Sequence, residues 1–251
     1  MTRIAPRSLT CPICSTSLDG WLVMASASKG PLTTDLRRYD DGEDPIPKMI
    51  NGCPGCAYTG EANAFEELAP KPDLPVPAAW TGAWFSQAEY DDVHDVMFAD
   101  RPAPAASTLV EQLTEHLAAR AADAAAEPAL RWEHHAQVSR WQGAGPLREG
   151  DAWLRAAWLH GDAGRDDDDR RCRTRALHCY RTGVTEKRWF SRREDLVIIA
   201  YLVGELHRRL GDPTEALQWY EQATAWSSGL SHLEDLVQLA ERQGRDPRDV
   251  V

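Results

Sequence analysis

Positive charge is what this sequence has too little of: 28 Lys and Arg face 39 Asp and Glu, a formal net charge of −11. Neutralising a phosphate backbone needs a basic face, so nucleic-acid binding is not expected. The first fifty residues do not escape the balance, because Arg3, Arg7, Lys29, Arg37, Arg38 and Lys48 are matched by Asp19, Asp35, Asp40, Asp41, Glu43 and Asp44. No run of about 18 apolar residues occurs. Nor does a basic start lead into an apolar stretch of the signal-peptide kind. The expectation is a cytoplasmic chain without a membrane span. A glycine-rich phosphate loop and a Gly-x-Ser-x-Gly elbow are missing. Neither cysteine pair is preceded by Pro or joined by a His-x-Glu motif, which removes the nucleobase deaminases. No enzymatic activity is therefore expected.

Cysteine is scarce, six in 251 residues, yet four of the six form two pairs, Cys11-Pro12-Ile13-Cys14 and Cys53-Pro54-Gly55-Cys56. A two-residue gap lets both sulfurs of a tight turn reach one ion, and Pro in second place suits the turn. Cys11, Cys14, Cys53 and Cys56 are thus predicted to hold one structural zinc per chain. An iron site, a disulfide pair or unrelated thiols are the alternatives, and so few cysteines at this length fit a reducing compartment better than a disulfide scaffold. Four thiolates saturate a tetrahedral zinc and leave no position for a catalytic water. Trp21-Leu22-Val23-Met24 and Met49-Ile50 read as strands flanking the pairs. The stretch 34–47, rich in Asp, Arg, Gly and Pro, reads as a solvated connection, and a helix start is expected within 60–68.

Pro70, Pro72, Pro75 and Pro77 exclude a helix and mark a linker. The predicted organisation is a zinc-binding module over 1–68, a Pro-rich linker over 69–85 and an α-helical repeat domain over 86–251, mostly α overall. After the linker, Ser86 is an N-cap candidate before Tyr90, Val93, Met97 and Phe98 at helical spacing. His94 among Asp91, Asp92 and Asp95 is either a ligand set or an acidic turn complementing the helix dipole. From Ser107 onward apolar stripes recur: Leu109, Leu113 and Leu117; Trp132, Ala136 and Trp141; Trp153, Ala157 and Trp158. Residues 162–171 read as a flexible hydrophilic insertion. Cys172 and Cys179 read as buried small side chains, with a redox pair or ligands beside His178 as the alternative. Leu196, Ile199, Val203, Leu206 and Leu210 precede a Gly211-Asp212-Pro213 turn, and Leu233, Leu236, Val237 and Ala240 mark a closing helix.

The spacing of Gly204, Ala216, Tyr220 and Ala223 resembles one tetratricopeptide repeat. Ala157, Ala176, Tyr180 and Gly183 repeat it, with an inter-helix turn longer by about seven residues than the motif's. The succession of a Cys-Pro-x-Cys pair, a charged stretch, Cys53-Pro54-Gly55-Cys56-Ala57-Tyr58, Phe65 and helices resembles the bacterial family called domain of unknown function 2225. Asp35, Tyr39 and Asp44-Pro45 fall where that family tends to have Asp, an aromatic and Asn-Pro, while Ser15 and Ala57 stand where it usually has glycine. The resemblance implies metal binding and a repeat domain, and brings no activity. Repeat stacks present concave grooves, so the expected function is a zinc-stabilised scaffold or adaptor for a protein or peptide. Arg155, Trp158, His160, Tyr201 and His207 are the candidate groove residues. Thiol redox sensing, a rubredoxin-like iron site and a nucleic-acid-binding ribbon are the competing readings.

Overall fold

The computed structural model describes residues 2–26, 30–40, 42–67, 106–186 and 189–245. The linker expected at 69–85 and the helix expected after Ser86, with His94, lie outside them. Two small β-hairpins come first. Strands β1 (Arg3–Thr10) and β2 (Ser17–Ala25) run antiparallel across the first cysteine pair. A single turn, α1 (Ile46–Met49), leads into β3 (Asn51–Gly52), which pairs with β4 (Thr59–Gly60) across the second. The 60–68 segment holds a 3-10 turn at Ala62–Ala64 and a strand β5 (Glu66–Glu67) beside β1, not the start of an α-helix. Asn51 ties the hairpins together, since its amide oxygen accepts from Trp21 N at 2.7 Å and its amide nitrogen donates to Trp21 O at 3.0 Å. A Cβ on Gly20 would lie 2.6 Å from that Asn51 oxygen, so only glycine admits the contact.

Helices follow: α2 (Ala106–His116), α3 (Ala121–Ala126), α4 (Pro128–Trp141), α5 (Pro146–Asp162), α6 (Asp166–Glu186), α7 (Arg193–Leu210), α8 (Pro213–Trp226) and α9 (Glu234–Arg245). The chain is mostly helical, with a small N-terminal strand and cysteine unit. Local chemistry sets the helix ends. Glu127 caps α4 by accepting from Ala129 N and Leu130 N, with Pro128 in the first turn where its missing N–H costs nothing. Gly211 ends α7 at φ 91°, and Asp212 then caps α8 through Glu215 N.

Two helical hairpins, α5–α6 and α7–α8, close on glycine against tyrosine. A Cβ on Gly204 would meet the Tyr220 ring at 2.8 Å, and one on Gly150 would meet the Tyr180 ring at 2.8 Å. The second contact departs from the predicted register, in which Ala157 faces α6. The expected insertion at 162–171 is not a loop: the turn is short, with Gly164 at φ 67°, and α6 begins at Asp166. Its four leading aspartates complement the helix dipole, and Asp169 pairs with Arg173 one turn on. The extra residues thus lengthen α6 and slide Tyr180 about two turns along α5, from Ala157 to Gly150. No described helix is long and apolar enough to cross a membrane.

One buried cluster joins α4 to α9 through Trp153, Tyr180, Tyr201 and Leu206. Another joins the hairpins to the helices: Leu9, Cys11, Cys53, Tyr58 and Phe65 pack with Leu109, Leu113 and Leu117 and with Val138 of α4. Arg131 reinforces that seam. Its guanidinium donates to Ile50 O at 3.1 Å, Pro47 O at 2.6 Å and Ala125 O at 2.5 Å, while Trp132 Nε1 donates to Ile46 O at 3.0 Å.

Candidate metal centre

Each cysteine pair forms the turn of its hairpin, and the two turns have the same geometry. In the first, Cys11 N donates to Thr16 O at 2.9 Å and Ser15 N to Cys11 O at 2.9 Å; in the second, Cys53 N donates to Tyr58 O at 2.8 Å and Ala57 N to Cys53 O at 3.0 Å. The residue after each pair is forced left-handed, Ser15 at φ 59° and Ala57 at φ 63°. That is the conformational reason for a glycine preference at both positions. Gly55 Cα sits so close to the other turn that a Cβ would lie 2.8 Å from Thr16 Oγ1 and 3.5 Å from Cys14 Sγ.

The turns bring all four predicted sulfurs within 4.8 Å of one another. Cys11 and Cys56 are 3.5 Å apart, as are Cys14 and Cys53. Four ligands about 2.3 Å from one tetrahedral zinc stand about 3.8 Å apart, so the cluster fits a single ion after small side-chain adjustments. Backbone amides already point at the sulfurs, with Gly55 N 3.4 Å from Cys53 Sγ. Cys14 is the exposed member of the set and Cys11 and Cys53 are buried. The hydrogen bond from Cys56 lowers the Cys11 thiol to about 5 against the opposing effect of burial. Cys56 is raised by giving that bond, and burial raises Cys53. A cation would take over this role and hold all four as thiolates.

A second buried trio, Glu133, His160 and Cys172, also lies within 4.8 Å. His160 Nε2 is 2.7 Å from Glu133 Oε1, and Arg171 forks onto both Glu133 oxygens at 2.7 and 2.9 Å. The guanidinium already supplies the positive charge that an ion would bring. Glu133 is held at about 2, where the bonds from His160 and Arg171 overcome burial. Burial pushes the Cys172 and Cys179 thiols up to about 12. Both are protonated small side chains in the core, and His178 is exposed beside them.

The predicted groove residues divide. His160 is buried on Glu133, Arg155 lies over the Trp132 ring at 5.2 Å, and His207 is buried with its Nδ1 3.5 Å from Asp212. Trp158 and Tyr201 face the chain's own 30–39 hairpin. This is the main departure from the expected solvated connection over 34–47. Thr34, Asp35 and Arg37 are buried, Asp35 at 2 % exposure. Asp35 accepts from Trp158 Nε1 at 2.9 Å and Arg173 NH1 at 2.5 Å. Burial would raise its carboxyl, but Arg209 and Arg173 hold it at about 2. Arg37 donates to Asp44 at 2.8 Å, Asp162 at 2.6 Å and Trp158 O at 3.2 Å, and lies over the Tyr39 ring at 4.3 Å. Asp35 finds its opposite on the helices in Arg173, and Arg37 finds Asp162 there and Asp44 within the loop, and these pairings offset the cost of burying the charges. Among the loop residues Asp35, Tyr39 and Asp44 were visible beforehand through family resemblance, and on the helical side Trp158 and Tyr201 as candidate groove residues. Thr34 and Arg37, like Arg131, carried no local signal.

Residues 137–244 match the model of a family described as an uncharacterized protein conserved in bacteria, domain of unknown function 2225. That helical stretch is similar to DUF2225. The match runs from the end of α4 into α9; it includes Ala156-Ala157-Trp158, one of the two stretches that carry the sequence resemblance, and does not include the other, residues 9–65 with the cysteines. Within the DUF2225 segment lie Trp158, Arg173 and Tyr201, the helical side of the contact with Thr34 and Asp35. No curated protein and no solved structure matches the chain.

Proposed function

We propose that the chain is a metal-stabilised binding protein in which Cys11, Cys14, Cys53 and Cys56 hold one structural zinc and the helical hairpins form a tetratricopeptide-like scaffold for a protein partner. The observation that carries the metal half is the meeting of four sulfurs from two hairpin turns in one cluster within 4.8 Å. Four thiolates complete a tetrahedral shell, so the ion would brace the hairpins instead of activating water. Zinc is favoured over iron as the ordinary occupant of a closed thiolate site, although iron accepts the same donors. The scaffold half is supported by the glycine-on-tyrosine closure of two successive helical hairpins. Free thiols at every described cysteine suit a reducing compartment such as the cytoplasm.

Elemental analysis of the freshly purified chain together with its visible spectrum tests the metal half. One colourless zinc per chain is the expected result. A red iron protein would replace the cofactor, and a metal-free chain that binds neither ion after reduction would overturn the reading.

A further inference from the structure

The outward face of α6 carries positive charge that no described acidic residue offsets. The helix buries Cys172, Ala176, Cys179, Tyr180 and Val184, while Arg170, Thr174, Arg175, His178, Arg181 and Thr185 are exposed. Of the 39 acidic residues in the chain, none falls between Arg170 and Thr185. Arg171 and Arg173 have carboxylate partners in Glu133 and Asp35. Arg170 instead donates to Leu210 O at 3.1 Å, and Arg175 lies over the Trp153 ring at 4.5 Å. Those contacts hold the two guanidinium groups without neutralising them. Among the described residues no carboxylate pairs with Arg170, Arg175 or Arg181.

The same face is hollow. Thr174, Leu177, His178, Arg181, Thr182 and Thr185 line a depression of about 500 Å³. The three threonine hydroxyls donate to carbonyls of their own helix, those of Arg170, His178 and Arg181, at 2.9 to 3.0 Å, which leaves methyl groups beside Leu177 for an occupant to meet. Glu186 stands at the far end and accepts from Trp189 Nε1 at 2.6 Å. Arg170 and Arg181 are eleven residues apart, so three turns and about 16 Å separate them along one side of the helix. The helix itself does not call for these cations. Basic residues complement the dipole in a last turn, and the last turn of α6 has none. Arg171 and Arg175, one turn apart, repel and weaken the isolated helix. An anionic surface laid along α6 would turn that repulsion into attraction.

We propose that this face of α6 docks an acidic segment of a partner protein, with an apolar side chain seated in the hollow over Leu177 and carboxylates on Arg170, Arg175 and Arg181. This rests on the scaffold reading above and adds the face and the chemistry of its partner. Nucleic acid is the poorer fit. Asp166 to Asp169 lead directly into Arg170 on the same helix, and the net charge of −11 repels a long polyanion. A short segment with two or three carboxylates meets only the local field of the arginines.

The test selects binders to the metal-loaded full chain from a displayed library of random dodecapeptides. The selected peptides should carry at least two Asp or Glu flanking an aliphatic residue. A fluorescent synthetic copy of the strongest should bind the wild type about tenfold or more tightly than the Arg175→Glu, Arg181→Glu double variant, read by anisotropy. Peptides with no enrichment in Asp or Glu, or an affinity untouched by the double variant, would overturn the inference and leave the scaffold reading standing. A library that yields no binder would overturn both. Should the double variant lack native circular dichroism, Arg181→Gln takes its place, with about a threefold loss expected, and an unchanged affinity overturns the inference. A labelled single-stranded oligonucleotide that binds more tightly than the peptide and is lost in the same variant would overturn the protein reading. A dimer in sedimentation that Arg181→Glu abolishes would assign the face to a second copy of this chain and likewise overturn it.

Discussion

Asp35→Asn isolates one charge. The amide keeps the shape of the side chain and an oxygen to accept from Trp158, but removes the attraction of Arg173 and Arg209. Asp35 falls from 3.8 to about 2 on folding. At about 1.4 kcal/mol per pH unit, that shift corresponds to about 2 kcal/mol of stability at neutral pH. Arg173 retains Asp169 at 2.9 Å, so the loss should stay below the roughly 3–5 kcal/mol of a fully orphaned buried charge. The folded carboxyl is the more acidic, so its contribution is complete above the unfolded pKa of 3.8 and disappears as pH falls through about 2. Urea unfolding of wild type, Asp35→Asn, Arg173→Gln and the double variant at pH 7 gives the pair's coupling, expected at about 1.5–3 kcal/mol. Helix circular dichroism down to pH 2 should show the wild-type and Asp35→Asn curves converging. A coupling below about 0.5 kcal/mol, or a difference that persists unchanged at pH 2, would refute the argument.

Cys14→Ser with Cys53→Ser should abolish metal binding and loosen the hairpins, and should also cost helix signal from α2, because Leu109, Leu113 and Leu117 share the cysteine cluster's core; complete retention of helicity would contradict the shared core. Ser15→Gly should stabilise the metal-loaded chain by about 1 kcal/mol by relieving an exposed left-handed residue, read as a shift in the urea midpoint. Gly204→Ala should cost about 1–3 kcal/mol, since its methyl would meet the Tyr220 ring at 2.8 Å and Ala216 O at 3.1 Å; a neutral result in chemical unfolding would mean the ring is free to give way.

What could be read beforehand was whatever depends on neighbours in the chain. The Cys-x-x-Cys turns, the Gly211-Asp212-Pro213 break and the apolar stripes are local, and the structure has each of them. Charge was misread where its partner is distant. Nothing near Asp35 says that Arg173 awaits it 138 residues later, so an Asp- and Arg-rich loop reads as hydrated. The run from Asp166 was misread for a related reason: four successive aspartates look like solvent-exposed loop, but at a helix start they are favoured by the dipole. The candidate groove residues differ in burial. His160 and His207 lie on the inward side of helices whose polar residues pair inside the fold.

The 30–39 hairpin also sets an order of events during synthesis. All four metal-site cysteines are made by residue 56, so the ion's shell can close while most of the helices are still untranslated. Thr34 must wait for Glu205, 171 residues later. At roughly 5–20 residues per second that interval is about 10–35 s, within which Trp158, Asp162 and Arg173 are made before Tyr201 and Glu205 complete the hairpin tip's contacts. Capture of the proposed metal would thus be the early and local step, whereas arrival of α7 is the late one that completes the contact between the N-terminal hairpin and the helices.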